Sequence, residues 1–262
     1  MIMLYFSATG NSQYIAELFC EKMNAGRYSI EADTDFNKMI AAEEVVGFCY
    51  PIYGSRAPRL MREFVSKHMH LLKNKKLIIF CTQMGFSGDG ARALTDLFPR
   101  RQANVIYAEH FLMPNNVCNL SIMPLASKKT TNWYLSNSQK KMQRTCENIR
   151  NGKTKRRGFN PGSRALGMIQ GVFMPVIEKR AVKKVWIDGD CVKCRTCAAI
   201  CPMGNFSYEN GEIKAKDNCM MCYRCINMCP HRAITVFLHK KVKTQYAGVN
   251  NCHPLINNYS NR

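Results

Sequence analysis

Residues 191–202 read CVKCRTCAAICP, and residues 219–230 read CMMCYRCINMCP. Both runs follow the pattern C-x2-C-x2-C-x3-C-P, and each cysteine of the first recurs at the same offset in the second, from Cys191 and Cys219 to Cys201 and Cys229. Such a repeat is typical of a duplicated half-domain with pseudo-twofold symmetry. Soft thiolate ligands suit iron–sulfide cores, and x2 spacing lets successive cysteines of one loop converge on one cluster. The two runs therefore predict a small, metal-stapled domain.

Cysteines in such spacing could also bind zinc or form disulfides. Zinc sites also contain C-x2-C pairs, but a third and fourth cysteine at x2 and x3 before a proline, twice over, disfavour zinc. Disulfides would require an oxidising compartment, whereas Met1 leads directly into the apolar residues 2–6 with no signal peptide. We therefore expect a cytoplasmic protein. No apolar run approaches the ~20 residues of a membrane-spanning helix, so no transmembrane segment is expected.

The chain of 262 residues has a formal net charge of +20, and the excess is uneven. Residues 150–184 contain ten Lys or Arg residues against Glu178 alone. This stretch is either a solvated linker or a docking surface for an acidic partner protein or for membrane headgroups. A third interpretation, a nucleic-acid-binding redox sensor, is disfavoured because the basic run lacks the interleaved aromatic residues of a stacking platform.

The first 150 residues alternate between apolar strand-like runs and amphipathic helical patterns. The predicted strands are residues 2–6, 28–31, 45–50, 77–82 and 105–111, and the predicted helices cover residues 14–23, 58–72, 90–98 and 131–151. This alternation predicts an α/β fold with a doubly wound parallel sheet. Ligands of such sheets bind at the carboxyl ends of the strands, where loops 7–12, 51–54 and 83–90 would meet.

The loop after the first strand reads Ser7-Ala8-Thr9-Gly10-Asn11-Ser12 and resembles the phosphate-binding loop of flavodoxins. That resemblance implies that FMN is bound, with its phosphate held by Ser7, Thr9, Gly10, Asn11 and Ser12. By position, the later loops would supply the other flavin contacts, namely Pro51, Tyr53, Gly54, Thr82, Gly85, Gly88 and Asp89. Two alternatives stay open at this point. Tyr53 is either a residue that stacks on the flavin or a packing aromatic, and Asp89 either contacts the flavin or caps the helix that begins there.

With the cysteine runs added, the chain resembles flavodoxin–ferredoxin fusion proteins of anaerobic bacteria and archaea. Composition predicts two further segments, namely a basic connector at 152–185, whose glycines make regular structure patchy, and a polar, mobile tail at 240–262. The resemblance implies a flavodoxin-like FMN domain at residues 1–151 and a small α+β two-cluster ferredoxin domain at 186–239. It also implies that the fourth cysteine of each run serves the cluster of the other run. The first 4Fe-4S cluster would take Cys191, Cys194, Cys197 and Cys229, and the second Cys219, Cys222, Cys225 and Cys201.

The resemblance implies a low-potential electron-transfer protein that passes electrons between two 4Fe-4S clusters and FMN and that meets redox partners with an acidic surface. The alternative is a flavin-dependent reductase of a small-molecule acceptor, supplied with electrons through its own clusters. No general acid and no nicotinamide-binding fingerprint stand out, so the sequence leaves open whether the chain is an enzyme. The runs continue differently after Pro202 and Pro230, which suggests that the two clusters differ in potential.

Overall fold

The computed structural model describes residues 1–99, 103–120 and 122–249, which divide into two units. The first comprises Met1–Ser7, Asn11–Met113 and Lys128–Met174. The second comprises Ala8–Gly10, Pro114–Ser127 and the described chain from Pro175 onward. Among the described residues, no helix is both long and apolar enough to cross a bilayer.

The first unit is built on one six-stranded parallel sheet with the order β2-β1-β3-β4-β5-β6. In chain order its elements are β1 (Ile2–Tyr5), α1 (Asn11–Met23), β2 (Gly26–Ser29), α2 (Phe36–Ala41), β3 (Val45–Pro51), α3 (Arg59–Lys67), α4 (Met69–Leu72), β4 (Lys76–Gln83), a 3-10 helix (Ala93–Leu97), β5 (Asn104–Leu112), α5 (Lys128–Arg150), β6 (Lys155–Arg156) and α6 (Pro161–Gly171). The inner strands β3 and β4 read as nearly continuous apolar runs because both faces of a parallel sheet are covered.

Aromatic residues fill the space between the sheet and α1. Phe80 on β4 makes edge-to-face contacts with Phe19 of α1 and Phe111 of β5, at centroid distances of 5.1 Å and 5.4 Å. All three rings are fully buried or nearly so. The predicted doubly wound α/β fold is therefore confirmed in this unit.

Three local predictions differ from the structure. The helix predicted over residues 58–72 is interrupted at His68, whose φ of −100° falls outside helical geometry. The segment predicted as a helix over 90–98 contains only the short 3-10 helix. Residues 152–185 were expected to be patchy because of their glycines, yet they include α6 and α7 (Met174–Val182). Asn160 caps α6 through the Ser163 N–H, and Pro161 occupies the first turn, so good start signals outweigh the glycines.

Where the structure describes it, the second unit contains nearly all of α7, two antiparallel ribbons and two short helices. Its elements after α7 are β7 (Val185–Ile187), α8 (Thr196–Ile200), β8 (Phe206–Glu209), β9 (Glu212–Ala215), α9 (Arg224–Met228) and β10 (Ile234–Val236). β7 pairs with β10, and β8 pairs with β9 in a hairpin that turns at Asn210-Gly211. Both turn residues have positive φ, which this tight hairpin requires.

Residues 240–249 are not the mobile tail that their polarity predicted. Val242 and Tyr246 are buried, and Gln245 Nε2 donates to the carbonyl oxygens of Ile226 and Cys229 at 2.8 and 2.7 Å. Burial of these side chains against α9 holds the segment in place. The rest of the predicted tail, residues 250–262, lies outside the described residues.

Candidate functional site

Two cavities in the second unit are each lined by four cysteines. The first is lined by Cys191, Cys194, Cys197 and Cys229, and the second by Cys201, Cys219, Cys222 and Cys225. Each cavity thus receives three cysteines from one run and the fourth from the other. These are the two ligand sets that the sequence resemblance implied.

The backbone repeats between the two runs as closely as the cysteines do. Lys193 and Met221 have φ of 60° and 56°, and Arg195 and Tyr223 have φ of 64° and 63°. Residues in this left-handed region turn the chain sharply, so that cysteines two residues apart face the same cavity. The duplicated sequence therefore produces a duplicated conformation.

Backbone N–H groups point at the sulfur atoms of both fourth cysteines. The Asn205 N–H donates to Cys201 Sγ at 3.2 Å, and the Ala233 N–H donates to Cys229 Sγ at 3.4 Å. Such N–H···S bonds stabilise a thiolate because they bring partial positive charge to it. The donor sets therefore suit thiolate ligation.

The surroundings of the two ligand sets differ. Cys194 of the first run is exposed, whereas its counterpart Cys222 is buried. Burial raises the pKa of the Cys222 thiol to about 12, against the opposing effect of the nearby Arg224 guanidinium. A hydrogen bond with Thr196 lowers the pKa of the Cys194 thiol. Because the ligand of iron is the thiolate, metal binding must displace these protons.

The chemistry of the donors fits a 4Fe-4S cluster. Within the described ranges no group of three or more His, Cys, Asp or Glu is placed to hold a single metal ion. A 4Fe-4S cluster requires a wider spacing of its ligands, because each thiolate binds its own iron and the four sulfur atoms stay apart. Four soft sulfur donors spaced around one cavity provide such a ligand set.

The loop between β1 and α1 brings hydroxyl groups to the start of a helix. Ser7, Thr9 and Ser12 are all buried, and Gly10 has a φ of 96°, in a region where side chains are strained. α1 begins at Asn11 and extends for 13 residues, so its first N–H groups and its dipole favour an anion at this end. The hydroxyl groups, the N–H groups and the glycine fit a phosphate group.

Thr82 at the end of β4 meets this loop in the first unit. Its Oγ1 lies 2.8 Å from Ser12 Oγ, and the Cys49 thiol donates to the Ser12 carbonyl oxygen at 3.2 Å. The start of α1 and two neighbouring strands, β3 and β4, thus contribute to one cluster of contacts at the carboxyl edge of the sheet. This is the edge at which such sheets bind ligands.

Helix α6 packs on the other two loops that the sequence assigned to the flavin. Gln170 Oε1 accepts hydrogen bonds from Ser55 Oγ at 2.5 Å and from the Gly88 N–H at 3.1 Å. A Cβ atom at Gly54 would collide with Met174, and one at Gly88 would collide with the backbone of Gly167. Pro51 ends β3, Tyr53 forms a β-bridge with Arg56, and Gly85 faces open space.

Asp89 is buried and forms an ion pair. Its Oδ2 accepts from Arg92 Nε at 2.8 Å, and the 3-10 helix that follows has no side-chain cap. Of the two alternatives for Asp89, the helix cap is not observed, because the adjacent guanidinium binds the carboxylate instead. Gly167 packs directly against this carboxylate, since a Cβ at Gly167 would lie 1.8 Å from Asp89 Oδ1.

Sequence reasoning missed three polar residues around these sites. One is Gln170, described above. In the second unit, Asn116 Nδ2 donates to Thr9 Oγ1 at 3.2 Å and to the Cys222 carbonyl oxygen at 3.3 Å. The third is Arg224, whose Nε donates to the Ala8 carbonyl oxygen at 3.0 Å. Asn116 and Gln170 carry no sequence signal, because neither lies in a motif and only the fold gives them these partners.

The parallel sheet with a hydroxyl-rich loop after its first strand, together with the cysteine-lined cavities, defines an electron-transfer protein. The chain belongs to the flavodoxin domain family, since a family model described as flavodoxin domain matches residues 2–164. A second model, described as 4Fe-4S dicluster domain, matches residues 190–234. The predicted flavodoxin–ferredoxin fusion is confirmed. The two domains imply FMN, iron–sulfur chemistry and redox partners.

Two curated proteins are similar to the iron–sulfur part. The chain is 38% identical over 64 residues to the pyruvate synthase subunit PorD of Methanocaldococcus jannaschii, covering 24% of this chain and 74% of that protein. It is 34% identical over 53 residues to the archaeal-type glutamate synthase [NADPH] of Dehalococcoides mccartyi, covering 19% of this chain. The chain spans only about a tenth of that synthase, 11% of its length.

Solved structures of flavodoxin-like proteins align with part of the chain. A putative flavoprotein from Bacteroides eggerthii is 25% identical, with a TM-score of 0.36 over 42% of this chain and 86% of that one. A WrbA-like flavodoxin from Agrobacterium tumefaciens is 20% identical, with a TM-score of 0.38 over 58% of this chain and 98% of that one.

Proposed function

We propose that this chain is a low-potential electron-transfer protein that passes electrons between two 4Fe-4S clusters and a bound FMN. The observation that carries the proposal is the pair of cavities, each lined by four cysteines drawn from both runs. When bound, FMN supplies a centre that exchanges one or two electrons, and each cluster supplies one that exchanges a single electron.

The residues of the chain have separable roles in this proposal. The loop of residues 7–12 holds the FMN phosphate with hydroxyl groups and N–H groups at the start of α1. The eight cysteines hold the clusters. Apolar side chains line much of both cavities, with Ile187, Ile213 and Ile234 in the first and Phe206, Ile226 and Val236 in the second. A dry, apolar lining influences the potential of a bound metal centre.

We propose a cytoplasmic redox enzyme as the partner, and an acidic surface on it. The similarity to PorD, which is named as a subunit of pyruvate synthase, supports an enzyme partner. The basic segment 150–184 supports the acidic surface, because most of its cations are exposed, including Arg164, Lys179 and Lys183. Lys155 and Arg157 are partly engaged, since both pair with Glu109.

Anaerobic purification followed by iron, labile-sulfide and flavin analysis tests the proposal. We expect iron and sulfide for two 4Fe-4S clusters and one FMN per chain. Stepwise reduction followed by visible and EPR spectra should then resolve the separate centres. Iron for one cluster alone, or no flavin after reconstitution, would refute it. Saturable turnover with one quinone or nitro compound would favour the reductase alternative, because a carrier shows no such preference.

A further inference from the structure

Arg224 is a buried cation within the second cysteine run. It lies between Cys222 and Cys225 and has 1% of its surface exposed, which makes it the largest fully buried side chain among the described residues. Its Nη1 donates to the Ile200 carbonyl oxygen at 2.9 Å, and its Nε donates to the Ala8 carbonyl oxygen. All of these residues belong to the second unit. A guanidinium keeps its charge in a protein, so the second run contains a permanent buried positive charge.

The first run also contains one cation between its second and third cysteines, but in a different setting. This cation is Arg195, which is exposed and stacks on the Tyr208 ring at 3.8 Å from its centroid. The residue that matches Arg224 in the repeat is Thr196, whose hydroxyl group contacts Cys194 Sγ at 3.3 Å. The two runs therefore carry equal charge at this point of the sequence, but only the second run buries it.

Burial decides how strongly each charge acts. Reduction adds one negative charge to a cluster, so a nearby cation favours the reduced form. Water and salt screen an exposed cation such as Arg195, whereas a buried one is screened much less. The burial of Cys222 acts in the opposite direction, since loss of solvent disfavours the more highly charged, reduced form. Arg224 opposes that effect from within the same run.

We propose that Arg224 sets the reduction potential of the cluster held by Cys219, Cys222, Cys225 and Cys201, by stabilising its reduced form. This rests on the proposed function, because it requires both clusters. It goes further in naming the residue that makes the two centres unequal. On this proposal, the difference in potential between the two clusters comes mainly from the cation between the second and third cysteines. The different residues after Pro202 and Pro230 contribute less.

The test is a potentiometric titration of the anaerobic, fully loaded chain, followed by EPR. Arg224→Met should shift one reduction step to lower potential and leave the other in place. Arg224→Lys keeps the charge and should stay closer to the parent protein than Arg224→Met does. Arg195→Met is the matched control, because it removes the same charge from the first run, and it should leave both steps nearly unchanged. If Arg224→Met does not load its clusters, Arg224→Gln, which can still donate to a carbonyl oxygen, replaces it.

Iron and sulfide analysis of each sample distinguishes failure of the inference about Arg224 from failure of the proposed function. If the parent protein holds iron for two clusters, equal shifts in Arg224→Met and Arg195→Met would overturn the inference and leave the proposed function standing. A shift of both steps together in Arg224→Met, or a shift as large in Arg224→Lys, would overturn it as well. If the parent protein holds only one cluster, the proposed function fails and the inference fails with it.

Discussion

Ser12 Oγ lies 2.8 Å from Thr82 Oγ1, so the hydroxyl-rich loop that follows β1 is bonded directly to the end of β4. Both residues are buried, and the bond joins the first turn of α1 to β4. The bond therefore restrains this end of the loop. Such preorganisation improves affinity, because ordering a loop on binding costs free energy.

We expect Thr82→Val to weaken FMN binding by about two- to tenfold, since a buried hydrogen bond contributes about 0.5–1.5 kcal/mol. Fluorescence titration of deflavinated protein with FMN measures the change. Thr95→Val is the control, because Thr95 Oγ1 donates only to the carbonyl oxygen of Arg92 within its own turn. An unchanged FMN affinity in Thr82→Val would contradict a role for this bond in the loop.

The exchange of fourth cysteines between the two cavities predicts an unusual pattern of iron loss. Cys201→Ser should damage the same cluster as Cys222→Ser, so the double variant should lose little more iron than either single one. Cys229→Ser combined with Cys222→Ser should lose both clusters. Iron content and EPR signal measure the loss. Cys118→Ser is the control, because Cys118 packs against the core of the same unit without lining either cavity. Additive loss in Cys201→Ser with Cys222→Ser would argue against the exchange.

His110 makes the first unit sensitive to pH. It is buried on β5, and its Nε2 accepts a hydrogen bond from the Ala91 N–H at 3.2 Å, which requires the neutral ring. Burial, with help from Arg157 and Lys141, lowers the pKa of His110 to about 4. In the unfolded chain the ring takes up a proton near pH 6.5. Stability from the neutral ring is therefore full above pH 6.5 and is lost as the pH falls toward 4.

Between pH 7.5 and 5.5 the first unit should lose about 1 kcal/mol of its free energy of unfolding through this residue. Urea unfolding followed by flavin release measures the loss. His110→Gln supplies an uncharged acceptor in place of the ring and should remove this pH dependence. The exposed His70 provides the control variant His70→Gln, which should behave as the parent protein does. An unaltered pH dependence in His110→Gln would contradict the assignment.

Gly167 allows α6 to approach the loop that contains Asp89. A Cβ atom there would lie 1.8 Å from Asp89 Oδ1, far inside contact distance. We expect Gly167→Ala to destabilise the first unit by about 1–3 kcal/mol, as overpacking does in other proteins. Gly162→Ala in the same helix is the control, because its Cβ would meet only Asn160 Oδ1 at 3.5 Å. Urea unfolding compares the two, and equal stabilities would show that α6 can move away at no cost.

Much of the fold is local in origin, which is why the sequence predicts it. Apolar runs identify five of the six strands of the sheet to within one or two residues at their ends, where strand boundaries fray. They miss β6, because its two residues, Lys155 and Arg156, carry no apolar signal. The existence of α6 was harder to predict, because the glycines within it read as helix breakers, whereas Gly167 serves a contact with a loop far away in the chain. The same holds for residues 240–249, whose polarity hides two buried side chains, Val242 and Tyr246.

For the cysteine runs, too, the sequence predicts some properties and the tertiary structure decides others. The spacing of the cysteines by itself predicted a metal site and its duplication, because ligand type and loop length are local properties. Charge between the second and third cysteines also looks equal in the two runs, with Arg195 in one and Arg224 in the other. Only the tertiary structure decided that Arg195 faces water and Arg224 is enclosed. Burial depends on what other segments cover a side chain, and the electrostatic effect of a charge depends on that burial.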